Sequence, residues 1–166
     1  MREIDNSPAI TTDNEVNINR NAIEHRATWM GLSYESGKEA GADIDRILRS
    51  AVARTGCLHG AAIKEKLSGQ MNLEEFAALF LTPLGIKTFE MEIVSQTEDS
   101  LKIRFHYCPL VAGWLKAGIP PEDIPTLCDI AMDGDRKIAE TVGAKFELGE
   151  TIAAGNRTCE LEFSRE

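Results

Sequence analysis

The feature that most limits the fold is a change of periodicity near residue 87. Downstream of it, KTFEMEIVSQ alternates Phe89, Met91 and Ile93 with Glu90 and Glu92, and LKIRFHY places Leu101, Ile103, Phe105 and Tyr107 on one face. Period-two alternation marks strands with one buried face. Residues 87–96 and 101–107, joined through Glu98-Asp99-Ser100, are therefore predicted to form an antiparallel hairpin.

Upstream the period is helical. In EAGADIDRILRSAVART, Ile44, Ile47, Leu48, Ala51 and Val52 follow the i, i+3, i+4, i+7, i+8 template. Residues 19–36 read as an earlier helix, with Ile23, Ala27, Met30 and Tyr34 on its apolar side and Gly37 as its end. Gly56 or Gly60 is expected to interrupt the second helix, and NLEEFAALFL starts another with Asn72 as its cap.

Beyond the hairpin, VAGWLKAG and PEDIPTLCDIAMDGDRKIAETVG read as helices, the latter stopping at Gly143. KFELGETIA and RTCELEF then form a second hairpin about Gly155-Asn156. The order predicts an α+β fold: an antiparallel sheet of about four strands, helices packed mainly on one face, and a helical N-terminal half. Residues 1–18, polar and aperiodic, are expected to be an extended or mobile arm ahead of a single α+β domain spanning 19–166.

Charge and composition narrow the function classes. A net charge of -9, with basic residues interspersed among acids, argues against a nucleic-acid partner. No apolar run approaches the ~20 residues of a membrane helix, so no membrane partner is expected. The first residues lack the basic and apolar regions of a secretory leader, which favours a cytoplasmic location. A small molecule is the expected partner, and a homo-oligomer is compatible with the sequence.

Chemistry concentrates in a few places. Cys128 and Asp135 are seven residues apart in the helix LCDIAMDGDRKIAETV, on one stripe with Ile124, Ala131, Ile138 and Val142. A carboxylate on an apolar face titrates high and suits a general acid or base, unless it pairs with an arginine or caps a neighbouring backbone. In HYCPL, His106 and Cys108 share a side if the strand persists, and the helix expected after Pro109 would lower a nearby thiol pKa. The competing readings are an edge histidine and a small buried hydrophobe.

Four cysteines stand at 57, 108, 128 and 159, without a Cys-x-x-Cys pair. The set His106, Cys108, Cys128, Asp135 and Cys159 has residue types that suit zinc, but His-x-Cys is its only close pair, so no metal is expected and zinc is the lesser alternative. Cys159, beside Leu161 and Phe163, reads most simply as core, and a lone helical histidine such as His25 or His59 is more often structural.

HYCPLVAGWLKAG, LCDIAMDGD and TIAAGNRTCELEF, in this order, together with the early HRATWMGLSYESGKEAG, resemble the L-2-amino-thiazoline-4-carboxylic acid hydrolase-like family over most of residues 20–165. The resemblance implies a hydrolase that opens a small cyclic amidine: water adds to C2 of the thiazoline ring, the ring C–S bond breaks, and N-carbamoyl-cysteine forms on a route to cysteine. It places Cys108, Cys128, Asp135 and Cys159 at motif positions. Asn156 stands after Gly155 where the family's Asp is expected, which points to another substrate or to no hydrolase activity.

On this reading Asp135 or His106 activates water, and Cys108 is a nucleophile or pocket wall. Cys128, Asn156, Cys159, Arg157 and His25 line the substrate site, and Arg26, Arg104 or Arg157 takes a substrate carboxylate. The alternative implied is a non-catalytic small-molecule or metal-binding sensor, related to vinyl-reductase-like domains.

Overall fold

A computed structural model describes residues 3–69 and 71–165. The first helix, α1 (Asn14–Glu39), starts five residues before the sequence pattern suggests, because the Asp13 carboxylate accepts from the Glu15 and Val16 N–H groups. It also runs through Gly37. The chain turns instead at Gly41, whose φ of 68° suits glycine, before α2 (Ile44–Lys64). Gly37 serves a close approach, since a Cβ there would stand 2.5 Å from Ile44 Cγ1.

Gly56 and Gly60 do not break α2; both are buried inside it. A Cβ on Gly56 would collide with the Gly134 carbonyl oxygen, and one on Gly60 would come within 2.7 Å of Thr141 Cβ. Both of those partners lie on α6 (Ile124–Val142), so the glycines mark where two helix backbones meet. An interruption read from local propensity proves to be a packing seam, because tertiary contact outweighs the ~1 kcal/mol cost of a helical glycine.

Two short helices precede the sheet: α3 (Leu73–Phe80), capped by Asn72 as the sequence indicates, and α4 (Pro83–Phe89), capped by Thr82 with proline in its first turn. Residues 87–89 are therefore helical, not strand. Glu90, at φ 50°, ends α4 in the left-handed region, and β1 is Met91–Gln96. Its hairpin partner β2 covers Ser100–Phe105. After α5 (Pro109–Lys116) and α6 come β3 (Ala144–Leu148), a single 3-10 turn at Ile152–Ala154, and β4 (Cys159–Arg165).

The strands form one antiparallel sheet in the order β1-β2-β4-β3, with Ile103 opposite Leu161 and Phe105 opposite Cys159. Alternation along β2 and β4 buries Leu101, Ile103, Phe105, Cys159, Leu161 and Phe163 under the helices. Phe163 anchors that face, with the rings of Phe76 and Phe80 at 5.0 and 5.1 Å. Lys102, Arg104, Glu160 and Glu162 line the opposite, charged face. Among the described residues no helix is long and apolar enough to cross a membrane.

Candidate functional site

Cys108 is the N-cap residue of α5. Pro109 occupies the first helical position, where its missing N–H costs nothing, so the helix begins directly after the thiol. The N–H groups of Leu110 and Val111 face the sulfur and favour its thiolate, but burial has the larger effect and pushes the thiol pKa up.

Two more buried thiols come to the same corner. Cys128 arrives on the second turn of α6 and Cys159 at the first residue of β4. A charge on Cys108 would raise the pKa of each of them, so the three sulfurs lie within electrostatic reach of one another. Burial dominates in both cases: the Cys159 pKa is pushed up to about 12, and that of Cys128 also rises. The Ile152 N–H donates to Cys159 Sγ at 3.3 Å, and the Thr151 side chain lies near enough to Cys128 to favour its thiolate slightly. All three sulfurs are thus neutral thiols at neutral pH.

Asp135 lies two turns, ~10 Å, farther along α6. Its residue surface is only partly covered, yet the carboxyl itself is enclosed enough that burial pushes its pKa up to about 6. Arg136 and Arg26 pull the other way from a distance. Arg136 is itself committed to Asp129 and Asp133, both at 2.6 Å, so it does not close an ion pair on Asp135. The arginine pairing that sequence alone allows for Asp135 is absent among the described residues. Arg26, exposed on α1, acts on Asp135 only at long range.

His106 does not join Cys108. The strand stops at Phe105, and His106 stays exposed with Nε2 3.0 Å from Glu92 Oε2. Cys108 has the same parity but turns inward, because Pro109 starts a helix there and ends the strand alternation on which their shared side depended. Arg104 lies on the charged sheet face too, held by Glu160 at 2.8 Å and Glu92 at 3.6 Å. His25 is exposed on α1, on the side opposite the buried Ala27, Gly31 and Tyr34, and takes a 3.0 Å hydrogen bond from Trp29 Nε1. His59 is exposed on α2.

Asn156 folds onto its own loop, its side-chain amide donating to the Thr151 carbonyl at 3.3 Å. Thr151 in turn reaches Cys128, so Asn156 stands one residue removed from the thiols, while Arg157 beside it is exposed. Among the described residues no group of three His, Cys, Asp or Glu side chains is arranged to hold a metal ion. Sequence reasoning missed Thr151, for which a threonine ahead of a short turn was a faint capping signal, and Asn6, for which there was none.

A family model, L-2-amino-thiazoline-4-carboxylic acid hydrolase, matches residues 20–163. That span contains the three thiols and Asp135, and leaves residues 1–19 outside. A search of curated proteins found no match.

Proposed function

This chain belongs to the L-2-amino-thiazoline-4-carboxylic acid hydrolase family, and from that premise we propose that it hydrolyses a small cyclic amidine, with L-2-amino-thiazoline-4-carboxylate as the first substrate to try. The observation that carries the reading is the convergence of Cys108, Cys128 and Cys159, from three distant segments, at the amino end of α5.

In the proposed reaction Cys108 sulfur adds to C2 of the ring. The ring C2–S bond breaks, and the departing sulfur takes the proton that the Cys108 thiol gives up. Water then adds to C2, the Cys108–C2 bond breaks, and the thiol is regenerated with N-carbamoyl-cysteine as product. Atoms balance as substrate plus one water. The Leu110 and Val111 N–H groups favour negative charge on Cys108 sulfur in the first step and when the thiol leaves. Asp135, with its pKa near 6, is ionised at neutral pH, and from ~10 Å along α6 it takes the proton of the attacking water only through intervening water. Arg26 is the cation placed to attract a substrate carboxylate.

A second reading is favoured by one observation. Burial keeps all three thiols neutral, which suits ligand binding better than nucleophilic attack. On that reading the protein is a non-catalytic small-molecule module. The two separate on one experiment: ring opening and equilibrium binding of L-2-amino-thiazoline-4-carboxylate by the wild type, Cys108→Ala and Asp135→Asn. Turnover lost in both folded variants supports the hydrolase. Binding without turnover in the wild type supports the module, and undiminished turnover in both variants sinks the catalytic assignment.

A further inference from the structure

Among the described residues the arm ahead of α1 is held at Glu90 and at Cys108, with Ile4 packed on the core and the Thr11 carbonyl accepting from Asn17 Nδ2. Its inner anchor is Ile10, whose N–H donates to Glu90 Oε1 at 2.8 Å and whose carbonyl accepts from Arg20. Arg20 is buried and also donates to the Thr88 carbonyl at 2.9 Å and to Glu90 Oε1 at 2.9 Å. Its guanidinium stacks 4.3 Å over the Tyr107 ring, next to Cys108 in the chain. This anchor is charged, buried and several times bonded.

The outer hydrogen-bonded anchor is Asn6, two residues from Ile4, which packs against the core. Asn6 Oδ1 accepts from the Cys108 N–H at 2.8 Å, and Asn6 Nδ2 donates to the Cys108 carbonyl at 2.8 Å. An amide that meets both polar groups of one peptide residue fixes that residue's orientation as a neighbouring strand would. Between the anchors runs Ser7-Pro8-Ala9, and a groove of about 700 Å³ opens between residues 3–7 and α5, bordered by Ala112, Leu115 and Lys116. The arm can therefore leave Cys108 at its outer end while its inner end stays held.

We propose that Asn6 is a positioning residue that clasps the Cys108 peptide, and that residues 3–9 form a strap whose release at Asn6 loosens the start of α5 and so makes the inward-facing Cys108 thiol accessible to a small electrophile. This rests on the role given to Cys108 in the proposed function. It concerns this chain's own arm, since Asn6 lies outside the residues that the family model matches. Cys128 and Cys159, beside Thr151 and Ile152, are not under the clasp.

The test is the rate at which iodoacetamide alkylates each cysteine in the full chain, resolved by peptide mass mapping. Exposed Cys57 serves as the internal standard. In the wild type Cys57 reacts first. Asn6→Ala is expected to speed alkylation of Cys108 about tenfold, with Cys57, Cys128 and Cys159 unchanged, because two part-buried hydrogen bonds no longer oppose opening. Asn6→Asp keeps the acceptor for the Cys108 N–H and loses the donor, so it should fall between the two. Hydrogen exchange at the Cys108 amide should follow the same order.

An unchanged Cys108 rate in Asn6→Ala overturns the proposal, and so does equal acceleration at Cys108, Cys128 and Cys159, which marks general loosening. Alkylation needs no turnover. Unmasking of Cys108 in a protein that leaves L-2-amino-thiazoline-4-carboxylate intact thus supports the strap and counts against the hydrolase, whereas turnover with no unmasking does the reverse.

Discussion

One helix serves two contacts of opposite character. On one side of α6, Gly134 and Thr141 meet the glycines of α2, and nothing larger than hydrogen fits at Gly56. Around the helix from that stripe, Cys128 shares the buried core with Cys108 and Cys159, within electrostatic reach of both, and an asparagine from a distant arm holds the Cys108 backbone. The α2 seam is backbone against backbone and can yield only by separating whole helices. The thiol corner is held by individual hydrogen bonds, each of which can open without moving α6. Rigid seams position a site and loosely latched corners admit a ligand, and α6 joins the two.

The largest expected effect breaks the rigid side. Gly56→Ala should destabilise the fold by about 2–3 kcal/mol, read from the denaturant midpoint, because overpacking against the Gly134 backbone outweighs the ~1 kcal/mol that alanine gains in helix propensity. A midpoint equal to or above the wild type's would show that α2 and α6 are free to move apart.

Asp135, on α6 between the two contacts, should give the next largest effect. Its folded pKa lies above its ordinary value, so the folded state holds more protons than the unfolded chain between about pH 4 and 6. Stability should fall as pH rises through that window and stay reduced above it. Asp135→Asn should flatten this dependence and stabilise the protein at pH 7 by about 2 kcal/mol, after allowance for the partly exposed residue surface. Parallel pH profiles of thermal unfolding in the two proteins would refute the buried-carboxylate description. If Asp135 is the base, the same substitution abolishes ring opening while raising stability.

The smallest effect sharpens the other side of the comparison. Thr151→Val removes the 3.2 Å cap on the Ala154 N–H and the hydroxyl that lies near Cys128, and should cost about 1 kcal/mol. Its alkylation pattern should change at Cys128 alone. A loss as large as that of Gly56→Ala would mean that the thiol corner is as stiff as the seam.

How much of this was legible depends on how far along the chain the cause lies. The strand alternation of Leu101, Ile103 and Phe105, the Asn72 cap, the Gly143 stop and the shared stripe of Cys128 and Asp135 are all written within a few turns or strand steps of sequence. Backbone periodicity acts over that distance, which is why reading them from residue patterns works. His106 marks where the method ends. Alternation carried it and Cys108 to one side, but the helix that starts at Pro109 turned the thiol inward and left the histidine with Glu92.

By itself, then, the sequence determined the α+β class, the order of strands and of the helices other than α4, and the spaced motifs that mark the family, because each depends on local geometry and residue type. Only the tertiary structure decided that Gly56 and Gly60 are contacts instead of breaks, that three thiols share a buried corner, that Asp135 has no arginine partner among the described residues, and that Asn6 holds Cys108 from 102 residues away. Those features exist only when distant segments exclude water from one another. Burial, which sets every pKa at the site, is a property of the packed chain and of no segment in it.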